Sequence, residues 1–405
     1  MLCNICMNKS VEYMSRMSQE RISKFDLTWD ILKQKILKCN WSVSHLKALN
    51  GEISFDEIQS IARKYRYNQE RDYWVAWRYI GLSFSTYICG ILVGIFAWNY
   101  CWQAWPIAWL IMGFGQNSIA SMAHDVIHGG WRQFWPMRLL RKPIEWLMFY
   151  PAHVWRISHN FGHHPYCGNM EARDTIRWEY EECVTGVDTI PPFGGKTLLK
   201  YKLGKILVPC IAFLGSSIGN FIRPADSWRE RLDLCRSLLE TVLFATLFNL
   251  VIYRVCGSFS GNLNFCIMPF MVANHLFTWF VVTHHADRRL FLFQEDQWEP
   301  LIGQVMTSVN CLCPKWLSIL THHLDHQVVH HIDPLVPGFN LPLLRREIAQ
   351  KYPGLMFESK WTLWSATNKL HEIEVWSTED KQYYTAKEWA KRNQEYGNLE
   401  TATLA

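Results

Sequence analysis

Charge is missing from this 405-residue chain where a soluble protein needs it. Asp, Glu, Lys and Arg make up 19% of the residues, against about 25% in ordinary soluble domains, and between Tyr79 and Ala123 there is none. That gap excludes a water-facing surface over 45 consecutive residues. The N-terminus lacks a basic stretch followed by a short apolar run, which argues against a cleaved signal peptide. A disulfide framework is lacking too: the 13 cysteines are odd in number and scattered, with a lone C-x-x-C at Cys3 and Cys6, as in a reducing compartment. The net charge of +5 is too small for a nucleic-acid partner but suits a surface facing anionic lipid. "GGKT" at 194–197 lacks the glycine a phosphate loop needs at 190, where Ile190 stands. No internal repeat or low-complexity segment is evident.

What the chain does have is apolar length. The uncharged run is too long for one membrane span and breaks at "NYCWQAWP" (99–106), whose aromatics are interface residues. Two helices of about 20 residues each would cross a hydrocarbon core of about 30 Å. A second pair falls between 235 and 286, with a turn near 257–262. The turns carry only Arg254, whereas 131–234 and 286–351 are rich in Arg and Lys. The bias places the histidine-rich segments and both termini on the cytosolic side. The expected fold is therefore an all-α integral membrane protein, multi-pass. It has four transmembrane helices in two hairpins, in-plane helices (143–155 and 206–222) and a cytosolic histidine-rich helical cap. Residues 1–75 read as a cytosolic N-terminal segment, 76–350 as the membrane domain and 351–405 as a polar cytosolic tail.

Histidine is concentrated: 14 of 16 lie between 124 and 331. His124 and His128 are four apart, as are His159 and His163, so each pair shares a helical face. His164 points about 100° from His163 and can serve a second ion. Gln327, His330 and His331 again define one face, and His284 closes the fourth apolar stretch. Three helical groups plus one more histidine, all near one membrane face, could enclose a pair of metal ions. Imidazole suits Zn, Cu, Fe and Ni, so ligand type alone leaves the metal open. The boxes contain no cysteine, and H-E-x-x-H is absent, which weakens a zinc hydrolase. Eight or nine nitrogen-rich ligands suit two open-sited irons that bind O2, with Asp125, Asp325 and Asp333 placed to hold ring N–H groups. A metal transporter would instead want polar ligands near the bilayer midplane.

Taken in order, "HDVIH" (124–128), "HNFGHH" (159–164) and "HQVVHHIDPLVPGFNLPLL" (326–344) resemble the histidine boxes of the membrane fatty acid desaturase superfamily, over roughly residues 75–350. The resemblance implies that His124, His128, His159, His163, His164, His330 and His331 ligate two non-haem irons. "FVVTH" (280–284) adds His284, and Gln327 opens the third box as it does in some members. His326 is an alternative to Gln327, while His275, His285, His322 and His323 are surplus, for supporting or surface roles. The second box has three residues before its histidine pair where two is commoner. The implied activity is O2-dependent insertion of a double bond into a fatty acyl chain carried by lipid, coenzyme A or carrier protein. Hydroxylase and acetylenase are alternatives. No His-Pro-Gly-Gly haem motif is present, so a separate ferredoxin or cytochrome b5-type donor is implied.

Overall fold

The structure, a computed structural model, describes residues 9–10, 12–14, 16–17, 19–171, 185–190, 206–210 and 227–403. Helices dominate. Three short ones, α1 (Trp29–Cys39), α2 (Val43–Leu49) and α3 (Phe55–Arg63), precede the long α4 (Gln69–Asn99) and α5 (Trp105–His128). After α6 (Met137–Leu147) comes a bent helical segment over 152–166, then a second long pair, α7 (Trp228–Cys256) and α8 (Phe259–His284). The cap follows as α9 (Pro300–Met306), α10 (Gln327–Ile332) and α11 (Leu341–Lys351), with two small sheets. Most of the expected in-plane stretch 206–222 lies outside the described residues; 206–210 is helical.

Asn68 starts α4 by accepting hydrogen bonds on its side-chain oxygen from the amides of Glu70 and Arg71, at 3.0 and 3.2 Å, which satisfies donors with no partner inside the helix. Pro106 sits in the first turn of α5, where its missing N–H costs nothing. Among the described residues three helices, α4, α7 and α8, are long and apolar enough to cross a membrane. The fourth expected span, α5, has 24 residues and is about 36 Å long. Its apolar run is interrupted by Gln116, Asn117, Ser118 and Ser121, all buried among its neighbours. None of the apolar stretch of α7 is buried, and Leu239, Leu243, Leu247 and Leu250 form an exposed face of the kind that meets lipid.

Glycine sets how the long helices meet. A Cβ on Gly90 would lie 2.5 Å from the Met112 amide nitrogen, and one on Gly115 would lie 2.5 Å from that of Tyr87. Ser83 also meets Ser118 at 2.8 Å. The pairings 83/118, 87/115 and 90/112 make α4 and α5 antiparallel, with their backbones in contact, as small residues allow between apolar helices. Against α8 the sense reverses. Trp109 bonds Asn264 at 3.2 Å and Asn117 bonds the Ala273 carbonyl at 3.4 Å, so α5 and α8 run parallel. Their C-terminal ends, carrying His124 and His128 on one and His284 on the other, therefore lie at the same level.

Beyond that end, the two terminal segments share a hydrophobic core. Leu32, Leu46 and Ile58 are packed with Phe291, Val305, Leu344, Leu355 and Trp376. Strands β2 (Asn310–Leu312) and β3 (Glu358–Lys360) pair in parallel, and β4 (Val375–Ser377) lies between β1 (Gly186–Val187) and β5 (Gln382–Tyr384). The chain after 351 thus folds back over the loops that follow α8.

The glycine contacts make a direct prediction. Gly115→Ala forces a methyl group against the Tyr87 backbone, and overpacking of this kind costs about 1–3 kcal/mol. Its unfolding midpoint in detergent should fall below that of the wild type, whereas Gly81→Ala, where a Cβ meets nothing within 4 Å, should leave it unchanged or raise it.

Candidate metal centre

Each histidine group gets its geometry from a local feature of the chain. His124 and His128 occupy the last turn of α5, which closes at Gly129 with φ of 91°, a left-handed conformation that glycine adopts freely. The second box lies on a π-helical stretch, Arg156–His163, where the His164 amide donates to the His159 carbonyl. Each i→i+5 hydrogen bond spans one more residue than the i→i+4 bond of an α-helix. It lets both His163 and His164 return towards His159, with ring centroids at 5.2 and 4.7 Å. His330 and His331 stand on the six-residue α10, buried against α9.

Two groups result. In the first, His124, His128, His159, His164 and His330 bring one ligand atom each to within 4.8 Å of the others. The second, on the same criterion, comprises His163, His285, His331 and Cys167. The adjacent pairs are split between them: His163 and His331 face one group, His164 and His330 the other. Their Nε2 atoms meet across each group, 2.9 Å for His124 and His159, 3.3 Å for His159 and His164, and 3.2 Å for His163 and His331. Imidazole nitrogens bind an ion at about 2.0–2.1 Å, so separations of this size suit ligands around a shared metal. The Nε2 atoms of His128, His284 and His330 are buried with no hydrogen-bond partner, a cost that a metal ion would remove.

The rings are held from behind. Nδ1 of His331 donates to Oε1 of Gln304 at 2.8 Å, and Gln304 in turn donates to the His164 carbonyl at 2.7 Å. Nδ1 of His285 donates to the Thr307 carbonyl at 2.9 Å, while Asp125 accepts from Nδ1 of His124 at 3.4 Å. Such partners fix the tautomer and leave the other nitrogen for a metal. The remaining aspartates do other work. Asp333 accepts from Nε and Nη2 of Arg66 at 2.8 and 3.2 Å, and Asp325 accepts from Ser318 and from Nδ1 of His326. His326 is thereby turned from the two groups, and the amide of Gln327 takes the position beside His331, 2.8 Å from its Nε2.

Of the nine sequence-predicted ligands, seven fall in the two groups, Gln327 touches the second, and His284 belongs to neither. His285, read from sequence as surplus, takes a place in the second group; the adjacent-pair pattern of "THHAD" was its available signal. Cys167 and Gln304 had none, since both reach the site by tertiary packing. His322 and His323, also surplus, are buried with hydrogen bonds to Ser83 and to Tyr79 and Ser318. His275 lies apart, with its Nδ1 4.0 Å from Cys210 Sγ.

Burial, reinforced by neighbouring imidazoles, pushes His159, His164, His285, His330 and His331 well below the ordinary histidine value of 6.5. In the unfolded chain these rings titrate near 6.5 and take up protons that the folded state refuses. Their contribution to stability is therefore complete above about pH 6.5 and is lost as pH falls below it. Metal-free protein should lose thermal stability between pH 7 and 5, and metal-loaded protein should release its metal over the same interval, followed by metal analysis after gel filtration. Gln304→Leu frees the His331 ring and should weaken metal retention by about 10–100-fold, read by competition with a chelator.

The fatty acid desaturase family matches residues 100–358, a stretch that contains all three histidine boxes and α8. Among curated proteins, the chain is similar to the sn-1 oleoyl-lipid 12-desaturase of Anabaena variabilis, at 22% identity over 89% of this chain and 100% of that protein. It is similar to the enzyme of the same name from a Picosynechococcus strain at 26% identity, over 73% of this chain and 84% of that one. The chloroplastic omega-6 fatty acid desaturase of Glycine max matches at 24%, over 71% and 65% respectively. With the boxes matched and their side chains gathered at one end of a helical membrane domain, this chain belongs to the fatty acid desaturase family.

Proposed function

We propose that this protein is an O2-dependent desaturase that inserts a double bond into a fatty acyl chain at a pair of histidine-held iron ions. The observation that carries this reading is the division of His163/His164 and His330/His331 between two adjacent groups. In that arrangement His124, His128, His159, His164 and His330 hold one ion. His163 and His331 hold the other, with Gln327 beside them and His285, in place of the expected His284, completing the set. Bound iron supplies the power to remove hydrogen from an unactivated methylene, with O2 as oxidant and two electrons from a reductant.

The remaining task is placement, because a methylene has no polar handle. Trp155 stands where placement is needed. Its ring centroid is 5.6 Å from His124 and 5.7 Å from His159 on one side and 5.5 Å from Phe277 on the other. Behind it a small cleft of about 30 Å³ lies between α5 and α8, lined by Gln116, Ala120, Met148, Tyr150, Ala273 and Asn274. An acyl chain that reaches the metals past Trp155 would have to widen it. The names of the relatives support an oleoyl chain on a membrane lipid as substrate. In this reading α4 with α5 and α7 with α8 form two transmembrane hairpins within the domain 76–350. The metal end lies on the cytosolic side, where a ferredoxin or cytochrome b5-type protein docks to deliver electrons.

Mass-spectrometric profiling of acyl chains, in cells expressing the wild type and His330→Ala, tests the proposal. A new double bond at one position, dependent on O2 and absent from the variant, is the expected outcome. A hydroxyl group or triple bond in its place would reassign the chemistry.

A further inference from the structure

The two groups are unequal. The first gathers five imidazoles, whereas the second has three, and the fourth ligand atom within its 4.8 Å circle is the sulfur of Cys167. Imidazole ligates as a neutral group, so two divalent ions here bring a charge of about +4 into a dry interior that the rings do not offset. Asp125 stands behind His124 in the first group, Asp333 is paired with Arg66 and Asp325 with Ser318 and His326, and no described carboxylate belongs to the second group. Among the described members of both groups, Cys167 alone becomes an anion when it ligates.

Its placement is built. Cys167 is 1% exposed, and Nε1 of Trp298 donates to its carbonyl at 2.9 Å. The next residue, Gly168, has φ of 73°, and a Cβ there would lie 2.1 Å from the Thr307 methyl. The glycine thus admits Thr307 against the turn, with its hydroxyl 3.0 Å from the sulfur. Cys167 Sγ and one ring nitrogen from each of His163, His285 and His331 lie within 4.8 Å of one another, a grouping that can close on one ion with nitrogen at about 2.1 Å and sulfur at about 2.3 Å.

We propose that the sulfur of Cys167 ligates the metal held by His163, His285 and His331, which makes a mixed nitrogen–sulfur site beside an all-nitrogen one. The thiol proton leaves to solvent as the metal binds. The inference rests on the paired-metal reading above and adds a ligand that the histidine boxes do not contain.

The test uses the purified full-length protein loaded with Co(II) and, separately, with Fe(II) followed by oxidation. Two metals per chain and a sulfur-to-metal charge-transfer band are expected in the wild type. Cys167→Ser and Cys167→Ala should lack the band, keep the first metal and lose the second at least about tenfold faster. Two bound metals with a spectrum the substitutions do not change would overturn the proposal and leave the paired-metal reading standing. Wild type that binds no metal would overturn both. If neither variant folds, X-ray absorption at the metal edge of the wild type decides. A sulfur shell near about 2.3 Å supports the assignment, and a shell of nitrogen and oxygen alone overturns it.

Discussion

The structure depends on keeping a crowd of imidazoles dry, neutral and pointed inwards. An imidazole in water takes up a proton near physiological pH, and a protonated ring cannot ligate a metal. Burial removes that option, but it leaves ring nitrogens without partners, and those of His128, His284 and His330 are in that state. The fold tolerates the cost because nothing at the site has to be assembled by chance. Parallel packing of α5 on α8 brings two groups of ligands to one level, and the terminal segments close over them as a single apolar core. The interior is polar at its centre and hydrophobic in its shell.

Much of this was legible in the sequence, since the signals involved are local. The uncharged run from Tyr79 to Ala123 marks the first long helix pair, and spacing of four marks the paired faces of His124 with His128 and His159 with His163. Less legible was whatever depends on a contact between distant segments. Nothing near Gln304 marks it as the partner of His331, 27 residues away, and Asp333 looked like a support for histidine until Arg66 was seen to take it. For α5 composition alone misleads: its polar residues lower the apparent apolarity of a helix of spanning length, although they are buried against neighbouring helices.

The choice between His284 and His285 illustrates the limit of pattern. In sequence both follow the same apolar helix, and the resemblance of "FVVTH" to the family segment points to the first. In the structure His284 remains helical while His285, as the cap residue with φ of −115°, leaves the helical path, and this turn carries its ring to His163 and His331. One backbone torsion at a helix end decides which imidazole faces which group.

The π-helical stretch at 156–163 bears on how such sites are recognised in sequence. An insertion of one residue inside an α-helix would ordinarily rotate everything after it by about 100° and scatter a ligand set. Here three residues separate His159 from the following pair where two is the commoner spacing, and the wider winding takes up the extra one locally. Metal geometry is thereby uncoupled from box length. A search for the two-residue spacing alone would pass over this chain, although its ligands come together.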